Sequence, residues 1–180
     1  ASRIDRTAPE LVIGHVTSTT KSITVTISTN KDDESDIVST VCKINNEVIP
    51  ITDNHCTKMG LTNNTNYTYE VTTTNGAGMT TTRSNNKATE DFGNIVISPS
   101  PAVSLWTDAR RITISGATND QILEYKIGSG EWTEYTSSIT LTENTSIYVR
   151  LTDGYNVTEA ETYLEDRIDT SEPVVTITTS

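Results

Sequence analysis

Good helix formers are what this chain most lacks. Ala and Leu are scarce, and no long stretch places apolar side chains at i, i+3, i+4 and i+7, so no helix of consequence is expected. No apolar run approaches the roughly 18 residues that cross a bilayer, which argues against membrane insertion. Basic side chains are also few: 13 Lys and Arg stand against 24 Asp and Glu, a formal net charge of −11. That balance argues against nucleic acid, which requires clustered cations, and disfavours adsorption to anionic membranes. His and Cys number 2 each. With no C-x-x-C or H-x-x-x-H spacing, the usual zinc frameworks are missing. His55 and Cys56 are neighbours on an expected strand, so their side chains should leave opposite faces. The other imidazole, His15, lies on the first expected strand. A Cys–His nucleophile pair is therefore not expected, and the chain reads as non-enzymatic.

Thr is abundant instead, at roughly one residue in five, with Ser, Val and Ile also common. β-Branched side chains suit pleated sheet. A hydrophobic content of 33% fits thin sandwich cores whose sheets each keep one wet face. A length of 180 residues suits two β-sandwich modules of about 80–100 residues each. The two ends of the chain are near copies. Arg3-Ile4-Asp5-Arg6-Thr7-Ala8-Pro9 recurs as Arg167-Ile168-Asp169-Thr170-Ser171-Glu172-Pro173, each followed by apolar alternation through Ile13 or Ile177. The chain thus reads as a segment of a longer tandem array, which explains the lack of a signal peptide. Boundaries are expected at 1–90, 91–168 and 169–180, the last being a linker and the first strand of a next module.

Period-2 alternation predicts strands at 11–16, 22–29, 37–44, 47–51, 55–59, 66–74 and 79–88, then at 95–98, 103–107, 111–115, 123–127, 132–135, 138–142, 146–151 and 158–164. Pro9 pins an extended start, and Pro99 and Pro101 are read as bracketing a bend. Asn45-Asn46, Asn75-Gly76-Ala77-Gly78, Gly128-Ser129-Gly130-Glu131 and Asp153-Gly154-Tyr155-Asn156 are hairpin turns of residues that tolerate positive φ.

The run Gly60-Leu61-Thr62-Asn63-Asn64-Thr65-Asn66-Tyr67-Thr68-Tyr69-Glu70-Val71, followed by Asn75-Gly76-Ala77-Gly78, resembles the signature of fibronectin type III domains, with Asn63-Asn64 in place of the usual Pro-Gly. Asp36-Ile37-Val38-Ser39-Thr40 after an acidic turn resembles a segment of such domains in bacterial surface proteins. The resemblance covers about residues 9–89. It implies a tyrosine corner carried by Leu61 and Tyr67, in which the hydroxyl bonds back to nearby backbone. It also implies that the strands of Cys42 and Cys56 lie in opposite sheets, so that a disulfide would staple the sandwich across its core. The alternative is two buried thiols acting as small hydrophobes.

The second half resembles a bacterial immunoglobulin-like domain. The matching runs are 123–135 with Tyr125, Trp132 and Tyr135, then Ile139-Thr140-Leu141, then 147–159 with Val149-Arg150, Asp153 and Asn156-Val157-Thr158-Glu159. The Arg-Ile-Asp-x-x-x-Pro linker matches the tandem style of that family, as found in Gram-positive surface proteins and phage tail proteins. Together the resemblances imply an all-β pair, fibronectin type III-like then immunoglobulin-like.

Several clusters carry candidate chemistry. Asp32, Asp33, Glu34 and Asp36 crowd one turn, and Glu90-Asp91 and Glu165-Asp166 with Asp169 crowd the joints. Solvation is the plain reading, with calcium as the alternative, although no D-x-D-x-D-G loop is present. No other cofactor is expected. Trp106, Trp132 and Tyr135 could form a sugar-stacking platform, but Trp132 and Tyr135 match a packing position of the resembled family, so core is the first reading. Glu124, Glu131 and Glu134 lie on one hairpin rather than across a cleft, which does not suit a glycosidase pair. Asn63, Asn66, Asn144 and Asn156 begin N-x-S/T sequons that are expected to be unmodified. The expected function is a non-catalytic spacer or stalk in a large extracellular bacterial surface or secreted protein. It would be monomeric and partnered chiefly by neighbouring modules of its own chain. The alternatives are an adhesion or carbohydrate-binding module, meeting a glycan or a host-surface protein, and a phage tail decoration module on a virion.

Overall fold

A computed structural model describes residues 4–176. Arg3 and Ile177, the outermost positions of the repeated segment and the expected strand, lie outside the described residues. The chain divides into two compact units, Ala1–Asp91 and Phe92–Ser180. Every regular element among the described residues is a strand.

The first unit contains β1 (Glu10–Ser18), β2 (Ser22–Lys31), β3 (Ile37–Ile44), β4 (Glu47–Ile49), β5 (His55–Met59), β6 (Asn66–Asn75) and β7 (Thr80–Ala88). They form two antiparallel sheets, ordered β1-β2-β5 and β4-β3-β6-β7. This three-over-four arrangement is that of the fibronectin type III sandwich. The alternation in β2 does what period 2 demands: Ile23, Val25 and Ile27 are buried, and Thr24 and Thr26 are not. They meet Cys42 and Ile44 from β3, Ile49 from β4 and Tyr69 and Val71 from β6. Asn45 and Asn46 turn the β3–β4 hairpin at φ 53° and 62°, the left-handed region that Asn tolerates better than most residues. Register shifts at Ile13 kink β1 beside His15 on the edge of its sheet.

Cys42 and Cys56 form a disulfide, with Cα atoms 6.6 Å apart. Cys42 pairs in register with Val71 in one sheet and Cys56 with Val25 in the other, so the bond crosses the core between the sheets.

The second unit contains β8 (Val96–Ser100), β9 (Arg110–Ser115), β10 (Ile122–Ile127), β11 (Thr133–Glu134), β12 (Ile139–Leu141), β13 (Thr145–Thr152) and β14 (Glu161–Glu165). Its sheets are ordered β12-β9-β8 and β11-β10-β13-β14. The sandwich read from the sequence as immunoglobulin-like thus repeats, strand for strand, the order of the first unit. Its core is Ile112, Ile114, Leu123, Ile139, Leu141, Ile147, Val149 and Leu151, completed by Ile168. Gly93 and Gly116 let two backbone segments pass closely: a Cβ on Gly93 would sit 1.9 Å from the Gly116 carbonyl oxygen.

Two local expectations are corrected. The strand predicted at 103–107 is a loop in which Val103, Leu105 and Trp106 are exposed. The Leu105 carbonyl accepts a hydrogen bond from the Arg110 guanidinium instead of joining a ladder, and the Pro101 and Ala102 carbonyls just before it accept from the same group. Pro99 does not bracket a bend but lies inside β8, opposite Ile112. β8 is an edge strand, where a missing N–H costs no ladder bond.

The bridge closes a loop with a sequence separation of 14. A loop of that size constrains the unfolded chain by about 3 kcal/mol. Replacing both cysteines by Ala should lower the stability of the first unit by about 2–4 kcal/mol and leave the second unit's unfolding transition in place. Calorimetry with and without reductant measures this; identical first-unit transitions would contradict it.

Candidate functional site

The ends of the two sandwiches hold the densest arrangements of buried polar groups. In the first unit the inward positions of β6 run Tyr67, Tyr69, Val71, Thr73, Asn75, so the apolar stripe turns polar toward one end. Thr73 and Asn75 are fully buried. Buried amides and hydroxyls need partners, and these have them. The Thr73 hydroxyl donates to Asn30 Oδ1 at 2.7 Å, and Asn30 Nδ2 donates to the Thr40 hydroxyl at 2.7 Å. The Asn75 side-chain carbonyl accepts the N–H groups of Ala77 and Met79, which fixes its orientation. Its Nδ2 then faces Asp5 Oδ2 and the Thr7 carbonyl, each at 2.9 Å, and Asp32 Oδ2 at 3.1 Å. Ser35 also donates to Asp5, while Glu34 accepts from the Arg6 N–H and the Thr7 hydroxyl. The stretch before β1 is thereby tied down, and Pro9 is buried behind it.

In the second unit the end from which the chain leaves, the opposite end of the sandwich, is built on charge. Arg110 and Glu165 are both fully buried, 2.7 Å apart. Glu165 also accepts from the Tyr163 hydroxyl at 2.7 Å and from the Arg167 N–H at 2.9 Å. Burial alone would raise the Glu165 pKa. The bonds from Arg110, Tyr163 and the Arg167 N–H outweigh it and hold the carboxyl at about 2. Burial, helped by the carboxylate, pushes the Tyr163 hydroxyl up to about 12. Beyond this cluster, Ile168 is buried and Asn144 clasps its backbone from both sides. The Ile168 N–H donates to Asn144 Oδ1 at 2.8 Å, and Asn144 Nδ2 donates to the Ile168 carbonyl at 3.2 Å. Thr107 pairs with the same stretch, donating to the Arg167 carbonyl and accepting from the Asp169 N–H.

Sequence reading passed over Arg110, Asn75 and the clasp of Asn144. Alternation alone leaves Arg110 and Asn75 in loops and Glu165 among solvated joint carboxylates. One signal was available for each β-strand residue. Asn75 keeps the phase of Tyr67, Tyr69 and Val71, and Glu165 keeps that of Tyr163, while Leu164 between them faces out.

The residues singled out from the sequence are spread over separate structural tasks. The Tyr67 hydroxyl accepts the Thr62 N–H at 3.0 Å beside buried Leu61. Tyr135 packs on the second core, meets Tyr125 edge-to-face at 6.2 Å, and accepts the Ile114 N–H. Trp132 is half-buried, with the Arg150 guanidinium 4.1 Å and the Lys126 ammonium 5.2 Å from its ring centre. Arg150 in turn holds Glu124 at 2.7 Å. Trp106 is 64% exposed on the loop between β8 and β9, with Arg167 5.9 Å from its ring. The three aromatics therefore occupy different settings rather than one face. His55 is exposed and bonds Thr26, whereas Cys56 points into the core.

Other carboxylates of the acidic turn and joints serve backbone and amide groups. Asp32 accepts the N–H groups of Glu34 and Ser35 at 2.8 Å, and Asp91 accepts from the side chains of Asn63 and Asn64. Asp169 accepts from Ser171. Among the described residues no three His, Cys, Asp or Glu side chains converge to hold a metal ion. A groove of about 330 Å³ lies between β1 and β7, lined by Leu11, Ile13, Tyr69, Arg83 and Asn85.

No protein-family model matches the chain, and no curated protein matches it. Among solved structures it is similar to the fibronectin(III)-like modules of Clostridium thermocellum CbhA, at 8% identity over 93% of this chain and 100% of that one, with a TM-score of 0.39. It is similar to a two-domain fibronectin type III segment of chicken tenascin, at 12% identity over 87% and 97%, with a TM-score of 0.34. A chitinase of Bacillus thuringiensis, ChiA74, is similar at 16% identity over 89% of this chain and 30% of its own, with a TM-score of 0.37. The fibronectin type III-like fold itself stands on the strand order of the two units.

The buried ion pair sets a pH dependence. The Glu165 pKa lies below its ordinary 4.5 in the folded protein, so its contribution is complete above pH 4.5 and is lost as pH falls toward 2. Glu165→Gln should cost the second unit about 3–5 kcal/mol at neutral pH, because Arg110 stays buried without its counter-charge. It should also flatten that unit's loss of stability between pH 4.5 and 2 relative to the parent protein. Thermal unfolding across this range checks both; parallel pH profiles for the two proteins would rule out the assignment.

Proposed function

We propose that the chain is a non-catalytic spacer, two modules of a stalk in a large extracellular bacterial surface protein that holds other domains away from the envelope. The observation that carries this reading is repetition. One seven-strand order occurs twice, and the Arg-Ile-Asp-x-x-x-Pro segment recurs at both ends, tied into a sandwich each time. Repeated modules with secured ends supply reach and spacing. The core disulfide supports an oxidising, extracellular setting. The charged groups that could serve chemistry, Arg110 and Glu165, are spent on holding a loop and a linker.

A second reading, carbohydrate or surface adhesion, is favoured by one observation, the exposed indole of Trp106. A phage tail decoration module would share the same physics as the stalk.

A glycan-array screen of the whole chain, with Trp106→Ala and Trp132→Ala controls, separates the first two readings. The spacer predicts no retained glycan and a monomer by sedimentation. Specific binding that disappears in a Trp variant with unchanged unfolding would replace the spacer with an adhesin.

A further inference from the structure

The two copies of Arg-Ile-Asp-x-x-x-Pro show opposite halves of one arrangement. In the copy that follows a sandwich, Ile168 is 6% exposed while Asp169 and Pro173 are exposed. In the copy that precedes a sandwich, Ile4 is 67% exposed, Asp5 is half-buried and Pro9 is buried. The isoleucine is covered only by a sandwich before it, and the aspartate and proline only by a sandwich after it.

A local turn is common to both copies. Asp5 Oδ1 accepts the N–H of Thr7 at 3.1 Å, and Asp169 Oδ1 accepts the N–H of Ser171 at 2.9 Å. The aspartate therefore shapes the chain in the same way whether or not its outer oxygen is engaged. The two halves also use different groups. The isoleucine inserts its side chain and gives its own N–H and carbonyl to Asn144. The aspartate offers Oδ2 to Asn75 and Ser35. Nothing in either set of contacts excludes the other.

We propose that this segment is a two-sided clip between consecutive sandwiches. Its isoleucine completes the core of the module before it, and its aspartate fills the polar end of the module after it. The partner that Ile4 fits is a sandwich of the second kind, offering an Asn and a Thr placed as Asn144 and Thr107 are. The partner that Asp169 fits is a sandwich whose sixth strand ends in an inward Asn, as β6 does with Asn75. This rests on the array reading above and adds a consequence to it: the joint has no free hinge, because neighbouring residues of one segment belong to two cores.

The test joins two full copies through a single clip, residues 1–166 followed directly by residues 3–180 of the second copy. Hydrogen exchange at the joint should slow for Ile4 and Asp5 by about 10-fold or more relative to the same residues at the amino-terminal end of the single chain. NMR relaxation should show the two sandwiches flanking the joint tumbling together. Inserting Gly-Gly between that Ile and Asp leaves each half its own seat. It should preserve the unfolding transitions of the flanking sandwiches and abolish their common tumbling. Unslowed exchange in the joined chain, or common tumbling that survives the insertion, would overturn the clip and leave the spacer reading standing. Glycan binding would displace the spacer without altering exchange at the joint.

Discussion

Each sandwich has more inward-facing positions than apolar side chains to fill them, and the rest of the structure follows from how the remainder is filled. With hydrophobic residues at 33% of the chain, the apolar stripe of β6 runs out after Val71. Thr73 and Asn75 occupy the next two inward places. In the second unit Arg110 and Glu165 occupy such places. A buried polar group without a partner costs about 1–3 kcal/mol, and a buried unpaired charge costs more. These positions therefore require partners, and the linkers supply several of them. Asn75 takes Asp5 and the Thr7 carbonyl, and Glu165 takes the Arg167 N–H. The linkers are thereby recruited into the cores they flank.

The ion pair of Arg110 and Glu165 illustrates what such groups contribute. Desolvation offsets much of the attraction between buried charges, so a pair of this kind adds little net stability compared with apolar residues of the same shape. Its effect lies in geometry. A guanidinium presents several donors in a fixed plane, and Arg110 spends them on Glu165 and on the carbonyls of the loop after β8. An apolar residue there would leave those carbonyls unanswered. The same loop supplies Thr107, which pairs with the chain on both sides of Ile168. One buried cation thus organises both a loop and the exit of the chain from its sandwich.

These ties give physical content to the proposed stalk. A module whose first and last residues are only loosely held transmits no orientation to its neighbour. Here the residues just before β1 and just after β14 are held by side chains that are themselves buried. The disulfide adds a covalent tie between the sheets of the first unit, within its apolar core.

Much of this was legible along the chain because it depends on short-range regularities. Alternation located the strands of both units to within a few residues, since side chains on a pleated strand alternate faces whatever lies opposite. Asn45-Asn46 marked its turn because Asn tolerates positive φ. The phase of Cys42 with Ile44 pointed it inward, although its partner followed only from a family resemblance. Other features were decided by tertiary structure alone. Arg110 and Glu165 meet across 55 positions, and Asn75 and Asp5 across 70. The stretch 103–107 alternates like a strand yet forms a loop, in which the Leu105 carbonyl answers to a guanidinium rather than to a neighbouring strand. The amino-acid sequence by itself determined where strands and turns fall and which faces are apolar. Which polar residues are buried, and with whom, was settled only in three dimensions, because a buried polar group is stable only beside partners that distant parts of the chain bring to it.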